Sequence, residues 1–364
     1  MRQHAFISLT LFILSLLLRI FLVNKGAYNA DCINLATQAE KLLYEGKLHY
    51  IIGFGFPLAI IIASFFILVS SWVHLTDPIM AVNYMSVVFG ALCIPVFYYL
   101  SLSLANKTTA ITSALLLSLC PIFLGNSLFG MTHTPALFFQ LLAMLLSLTF
   151  LKEKKGYQLI LSALCFGFSG AIRFQDMVLM TPVMCYILIV YRNAPESTDS
   201  PLGHRIIQLI YFLSIVTGTI FLFHLPYLID QFRSDYFQQL NFYQEVSLVY
   251  FDPVFLKAAF MKNVMYLIQT LSILGFIIAL FSLAIVYREK KPLFWLLLIW
   301  IAPSFILFCH LFTIAPRHQI LMIPAFILLA CYTLSKFLIL KRNLFRVTSL
   351  AIFFLIVPVF LYYF

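Results

Sequence analysis

Four short polar segments, each lying between long apolar runs, carry the side chains that could perform chemistry. The first contains Asp31, a carboxylate that could serve as a general base. The other three supply groups that bind anions and polar substrates: His133, Arg173 with Gln175 and Asp176, and Arg317 with His318. One candidate base among several cations suits a substrate that carries a phosphate.

Transfer of a sugar from a polyprenyl phosphate is one reaction that such a set of groups can perform. The acceptor hydroxyl loses a proton as it attacks the anomeric carbon, and one carboxylate can take that proton. The leaving phosphate is already a stable anion, so arginine or histidine can stabilise it. Hydrolysis of a glycoside, by contrast, needs two carboxylates. The spacing of these residues does not by itself select this reaction.

Each polar segment also has a purely structural interpretation. Asp31 could cap a helix, and His133 could be solvated in a polar turn that precedes the next helix. Arg173 and Asp176 could form a mutual ion pair at the membrane surface. Arg317 could be an interfacial arginine whose charged end reaches toward water.

The composition places these segments in a membrane protein. The chain of 364 residues is 63% hydrophobic and 10% charged, whereas soluble domains have about 25% charged residues. The net charge of +10 lies in short clusters between apolar runs, such as 152–155 and 288–291. Such clusters orient membrane helices, so we expect no nucleic-acid partner. The seven cysteines fit neither a disulfide framework nor a metal site, and no cofactor is expected.

The apolar runs predict an all-α fold, a polytopic transmembrane bundle of about 11 spans. The predicted spans are 5–23, 81–105, 109–124, 135–151, 157–172, 177–191, 206–229, 263–287, 293–312, 319–340 and 347–364. The run at 57–75 is equally apolar. If it crossed the membrane, most basic residues and all the tight basic clusters would face outward, against the usual bias. We therefore predict an interfacial or re-entrant hairpin there.

Two long segments, 24–80 and 230–262, then face outward, and most acidic residues lie on that side. Within the first segment, 31–45 predicts an amphipathic juxtamembrane helix with Asp31 as its N-cap and Gly46 as its stop. Its apolar face comprises Leu35, Ala36, Ala39, Leu42 and Leu43. We treat 1–364 as a single transmembrane domain with no separate soluble domain.

Several of these features together resemble a known family. Near the N-terminus, the acidic residue Asp31 opens a helix after the first span, and a proline leads the apolar stretch Phe56-Pro57-Leu58. A turn, Thr132-His133-Thr134-Pro135, precedes an aromatic-rich span, and a glycine-containing span ends at Arg173. Near the C-terminus, Arg317 is followed by Pro324. The pattern resembles the GT-C superfamily of polyprenyl-phosphate-sugar glycosyltransferases, near the protein O-mannosyltransferases and lipid A aminoarabinose transferases.

The resemblance implies a membrane glycosyltransferase that moves a sugar, with inversion, from a polyprenyl-phosphate donor to a lipid, glycan or protein acceptor. It implies that Asp31 is the general base and that Arg173 and Arg317 contact the phosphate or the sugar. Further substrate-binding residues would be His133, Gln175, Asp176, Glu245 and His318. The implied location is a multi-pass protein of a membrane such as the bacterial inner membrane, surrounded by membrane lipids, with its site on the periplasmic or extracellular side.

Two positions depart from the family pattern. Cys32 stands where the family has a second acid, and His133 stands at the acid position of the second outer loop. We therefore expect no divalent-metal site. The alternative function is a transporter or flippase of a lipid-linked or anionic substrate, although broken helices in two related halves, typical of transporters, are not evident. A non-catalytic scaffold is a third interpretation.

Overall fold

The computed structural model describes residues 2–48, 56–74, 77–191, 202–231, 252–310 and 316–341, and all regular structure in these ranges is helical. The α-helices are α1 (Arg2–Leu22), α2 (Ala30–Glu45), α3 (Pro57–Trp72), α4 (Pro78–Leu104), α5 (Lys107–Leu119), α6 (Pro121–Asn126), α7 (His133–Glu153), α8 (Gly156–Ile172), α9 (Phe174–Ile189), α10 (Leu202–Gln231), α11 (Pro253–Glu289), α12 (Lys291–His310) and α13 (Ile323–Lys341). A 3-10 helix, η1 (Pro316–Leu321), precedes α13. The all-α prediction is confirmed.

Six of these helices, α1, α4, α7, α10, α11 and α12, are long and apolar enough to cross a membrane. The helices α3, α5, α8, α9 and α13 are also apolar but shorter. Every predicted span from 5–23 to 319–340 coincides with one helix or with two consecutive helices. The last predicted span, 347–364, lies outside the described residues.

Several predicted spans are interrupted helices. The span at 109–124 is divided at Cys120, which is extended (φ −61°, ψ 123°) because Pro121 follows it. Residue Ser272 breaks α11 with a φ of 62°.

The same helix begins at Pro253, where Asp252 caps it, so the prediction of a loop throughout 230–262 is wrong for its last ten residues or so.

Helix α2 confirms the predicted juxtamembrane helix and corrects its cap. Asn29, not Asp31, is the N-cap, and its side chain accepts a hydrogen bond from the Cys32 backbone N–H. This leaves the Asp31 carboxylate free of a capping role. Gly46 ends the helix at a φ of 66°, as predicted. Leu43 is 38% exposed and lies off the buried face.

Helix α3 is continuous from Pro57 to Trp72, so the prediction of a hairpin at 57–75 is wrong. The physical reason is visible in the sequence, because no glycine, proline or asparagine follows Pro57 within the helix to form a turn. Its 16 residues span about 24 Å, less than the roughly 30 Å of a hydrocarbon core. Helix α3 packs against α2, α4 and α8, and Ser64 Oγ donates to the Ala39 carbonyl at 2.8 Å.

One end of the bundle gathers the segments that carry the predicted site. Helix α4 packs against α1, α5 and α7, and η1 contacts α6, α7, α12 and α13. Trp300 of α12 donates its indole N–H to the Leu321 carbonyl at 2.8 Å, which fixes the end of η1. Gln319 is buried and donates to the Asn263 carbonyl and side-chain oxygen of α11, each at 3.1 Å. The two sets of hydrogen bonds tie η1 to α12 and α11.

Candidate active site

Asp31 and Arg317 meet although 286 residues separate them in the chain. Arg317 Nη2 lies 3.1 Å from Asp31 Oδ2. Asp31 is in the first turn of α2, and Arg317 is in η1. The 3-10 geometry of η1 places both Arg317 and its neighbour His318 at this end of the bundle, before α13 begins. The structure thus brings the first and fourth predicted segments together.

The second predicted segment joins the same cluster through His133. Its Nε2 lies 3.5 Å from Nδ1 of His318, and the two ring centroids are 5.3 Å apart. His133 is the first residue of α7 and is only 3% exposed. The interpretation of His133 as a solvated turn residue is therefore wrong.

The third predicted segment contributes Arg173, which ends α8 and precedes α9. Its Nε donates to Asp176 Oδ2 at 2.7 Å, and its Nη1 donates to Thr132 Oγ1 at 3.0 Å. The guanidinium also lies 5.7 Å from the ring centroid of Phe56. Both members of the Arg173–Asp176 pair are buried, so the interpretation of a surface ion pair is wrong in that respect. The hydrogen bond to Thr132 ties Arg173 to the segment of His133.

The closeness of the charged groups in the cluster affects the protonation of their neighbours. Burial, followed by the positive charges of Arg173 and Arg317, lowers the pKa of His318 to about 3. His318 is therefore neutral at physiological pH. Burial also raises the pKa of the Cys32 thiol, and the carboxylate of Asp31 adds to that shift. The cluster thus holds two arginines, two carboxylates and a neutral His318.

Two predicted site residues do not join the cluster within the described structure. Gln175 is exposed, and no hydrogen bond connects it to the cluster. Glu245 lies outside the described residues. Cys32, at the position of the family's second acid, is 1% exposed and packs its sulfur 3.8 Å from that of Met131. Among the described residues, no three His, Cys, Asp or Glu side chains are arranged to hold a metal ion.

Two nitrogens of the cluster lack a partner within the described part of the chain. Arg317 Nε and His133 Nδ1 are buried and form no hydrogen bond there. Buried polar atoms are rarely left unpaired, because an unpaired donor or acceptor costs about 1–3 kcal/mol. These two nitrogens are therefore available to a polar ligand.

Sequence reasoning missed two buried polar residues beside the site. Arg19, in the last turn of α1, is fully buried and donates to Ser127 Oγ at 2.8 Å and to Ser15. Asn83, near the start of α4, is also fully buried. Both lie inside apolar runs, where polar side chains are costly and default to a functional role. That cost was a signal available in the sequence.

Comparison with known proteins supports the GT-C resemblance. Residues 57–224 match the family model described as dolichyl-phosphate-mannose-protein mannosyltransferase. No curated protein matches the chain by sequence. The matched region includes His133 and Arg173 but ends before Arg317.

The fold is similar to those of solved GT-C glycosyltransferases. ArnT from Cupriavidus metallidurans bound to undecaprenyl phosphate has a TM-score of 0.65 at 14% identity, with 92% of this chain and 60% of ArnT covered. The oligosaccharyltransferase of Archaeoglobus fulgidus, in its apo form, has a TM-score of 0.62 at 14% identity, with 98% and 54% covered. The archaeal oligosaccharyltransferase AglB from the same organism, in complex with an inhibitory peptide and a dolichol-phosphate, has a TM-score of 0.57 at 14% identity, with 97% and 54% covered.

The chain therefore spans little more than half the length of the solved structures that it matches. The predicted resemblance to the GT-C superfamily is confirmed by the family model and the shared fold. Together with the apolar helices, these matches make the chain an integral membrane protein.

Proposed function

We propose that this protein is a membrane glycosyltransferase that moves a sugar from a polyprenyl-phosphate donor to a lipid, glycan or protein acceptor. The observation that carries the proposal is the meeting of Asp31 with Arg317 at 3.1 Å, beside Arg173 and the two histidines. A carboxylate can act as the base, and two guanidinium groups drawn from distant segments can stabilise a phosphate leaving group. The matches to enzymes solved with undecaprenyl phosphate and dolichol-phosphate support this donor class.

In this proposal Asp31 removes the proton of the acceptor hydroxyl. Its side chain is 41% exposed, so an acceptor can approach it from solvent. Arg317 contacts Oδ2, which leaves Oδ1 for the hydroxyl. The acceptor oxygen attacks the anomeric carbon on the face opposite the phosphate as the bond to the phosphate oxygen breaks. This single displacement inverts the anomeric centre.

The ion pair of Asp31 and Arg317 describes the site before the donor binds. A donor phosphate would compete with the carboxylate for the guanidinium, and its oxygens could also accept from the unpaired Nε of Arg317. Moving Arg317 from carboxylate to phosphate frees Asp31 to act as a base. Neutral His318 and His133 can donate hydrogen bonds to the phosphate or sugar without adding charge. Arg173 contributes the second positive charge.

Sugar transfer tests the proposal directly. Purified protein in lipid nanodiscs is given a panel of radiolabelled polyprenyl-phosphate monosaccharides, with membrane lipid, glycan or protein fractions as acceptors. Wild type should form a labelled product, and Asp31→Asn should lose about 100- to 10,000-fold of the rate, the usual contribution of a general base. Full activity of Asp31→Asn would exclude Asp31 as the base.

Asp77→Asn is the matched control. Asp77 is an exposed carboxylate of the same outer segment and caps α4 by accepting from the Ile79 N–H at 2.9 Å. Asparagine caps helices equally well, so this variant should keep wild-type activity. If wild type forms no product from any donor but moves labelled lipid across the bilayer, the transporter alternative replaces the proposal.

We place the site on the non-cytoplasmic side, on the basis of the distribution of basic clusters. Lys25, in the loop before α2, and Lys154, at the opposite end of α7, are both exposed. A membrane-impermeant maleimide applied to intact cells should label Lys25→Cys, whereas Lys154→Cys should be labelled only after permeabilisation. The reverse pattern would put the site on the cytoplasmic side.

A further inference from the structure

Asn83, on the second turn of α4, connects the two loops that lead into the candidate site. Its Nδ2 donates to the carbonyls of Asn24 (2.8 Å) and Gly26 (3.1 Å), in the loop before α2. Its Oδ1 accepts from the backbone N–H of Gly130 (2.7 Å), in the loop before α7. One buried side chain therefore holds both loops.

The chemistry of this contact requires an amide. Two carbonyl oxygens need two N–H donors, and the N–H of Gly130 needs an acceptor. A single asparagine in one orientation satisfies all three. No other side chain of this size offers two donors and an acceptor, so isosteric replacements must lose one side of the bridge. Because Asn83 is fully buried, water cannot replace a lost bond without opening the structure.

Ser86, one turn along α4, forms further hydrogen bonds with the second loop. Its Oγ accepts from the Met131 N–H at 3.1 Å and lies 3.2 Å from the Met131 carbonyl, to which it can donate. The loop also packs closely on the helix, since a Cβ at Gly130 would lie 2.7 Å from Val82. The two loops contact each other as well, through the hydrogen bond from Asn24 N to the Leu128 carbonyl at 3.4 Å.

These loops lead directly to groups of the candidate site. The first reaches Asn29, which caps α2 just before Asp31. The second leads to Thr132, the partner of Arg173, and to His133. The two segments touch again where Cys32 packs against Met131. The arginines, by contrast, sit at the α8–α9 corner and in η1, which Asn83 does not contact.

We propose that Asn83, assisted by Ser86, is a positioning residue for glycosyl transfer, an inference that rests on the function proposed above. Asn83 fixes the position of the segment that carries the base Asp31 relative to the segment that carries His133. Loss of the bridge should shift the base relative to the bound donor, and a shift of about 1 Å can cost about 100-fold in rate. Donor affinity should change little, because Arg317 lies in η1 and Arg173 keeps its hydrogen bond to Asp176 even if the contact with Thr132 is disturbed.

The key variant is Asn83→Asp, which keeps the acceptor for Gly130 but loses both donors to the first loop. We expect kcat to fall about ten- to hundred-fold, with the donor KM little changed. Arg317→Ala gives the contrasting pattern, a raised donor KM. Ser86→Ala, which removes only contacts to Met131, should give a smaller fall in kcat.

Cysteine alkylation provides a measurement that does not depend on activity. Cys32 is 1% exposed and packs against Met131, whereas Cys93 of α4 is fully buried. N-ethylmaleimide labelling, quantified by mass spectrometry at each cysteine, should increase at Cys32 in Asn83→Asp and stay absent at Cys93. That result shows a local displacement of the segment of Asp31, with the bundle intact.

The outcomes separate the possibilities. A wild-type kcat for Asn83→Asp, or a reduced kcat with Cys32 as protected as in wild type, would overturn the inference. If Asn83→Asp exposes Cys93 as well, the protein has unfolded, and the inference is then tested with Ser86→Ala instead. A wild-type kcat together with wild-type protection of Cys32 in Ser86→Ala would overturn the inference. A wild-type protein that transfers no sugar, while Asn83→Asp still exposes Cys32, would contradict the proposed function alone.

Discussion

The ion pair of Asp31 and Arg317 predicts that stability and catalysis respond differently to its removal. The two side chains are 41% and 29% exposed, respectively, and their charged atoms are 3.1 Å apart. A pair so open to water contributes at most about 1 kcal/mol to stability. The neutral replacements Asp31→Asn and Arg317→Gln should therefore lower the melting temperature of the detergent-purified protein by no more than about 4 °C.

The effect on catalysis should be much larger. If Arg317 moves to the donor phosphate, its loss removes charge-assisted hydrogen bonds to the transition state, worth about 2–4 kcal/mol. This corresponds to a loss of roughly 30- to 1,000-fold in kcat/KM. The double variant should lose less than the product of the two single losses, because both residues act in the same step. Initial rates of labelled product formation, beside melting curves of the same samples, measure both effects.

The buried pair of Arg173 and Asp176 provides the contrast. Its side chains are 9% and 8% exposed, and removing one partner of a buried pair typically costs about 3–5 kcal/mol of stability. Asp176→Asn should therefore lower the melting temperature more than Asp31→Asn does. Arg317 has no separate role in catalysis if Arg317→Gln lowers the melting temperature as much as Asp176→Asn and its activity only follows the folded fraction.

Three further predictions concern packing and protonation. Arg19→Lys keeps the charge but loses the planar fork that reaches several serines at once, so we expect at least about a ten-fold loss of transfer activity. The lowered pKa of His318, about 3 against an ordinary 6.5, means that only the unfolded chain takes up this proton at mild acidity. This difference adds to the free energy of unfolding above pH 6.5, and the contribution is lost as the pH falls toward 3. Between pH 7 and pH 5 the free energy of unfolding should fall by at most about 2 kcal/mol through this group. Gly167→Ala would place a Cβ 2.6 Å from that of Thr219 and should cost about 1–3 kcal/mol of stability.

Each of these predictions has its own control. Wild-type activity in Arg19→Lys would show that charge alone suffices at that position. His318→Gln should flatten the decrease of the melting temperature between pH 7 and pH 5, and an unchanged slope would contradict the assignment to His318. Gly218→Ala is the control for the glycine variant, because a Cβ there meets nothing within 4 Å. Equal melting temperatures for Gly167→Ala and Gly218→Ala would contradict the packing argument.

Much of the helical framework follows from local sequence. Apolar runs predicted most of the membrane-length helices, an amphipathic pattern predicted α2, and Gly46 marked the end of α2 through its own backbone preference. Pro121 divides the predicted span 109–124 by the same kind of local preference, although that span was predicted as one piece. The same local rules failed where two residues competed for one role. Asn29 and Asp31 are both good caps, and only the folded backbone shows that Asn29 takes the position. The continuous α3 could have been predicted from its lack of turn residues.

The sequence by itself determined which side chains could do chemistry and that they lie at helix ends, because charge and apolarity are properties of short segments. Only the tertiary structure decided that Asp31 meets Arg317, that His133 meets His318, and that Asn83 holds two loops at once. In a bilayer every face of a helix can be apolar, so the periodicity that marks the buried face of a soluble helix is weak. Helix neighbours are then selected by close packing and buried hydrogen bonds among residues far apart in the chain.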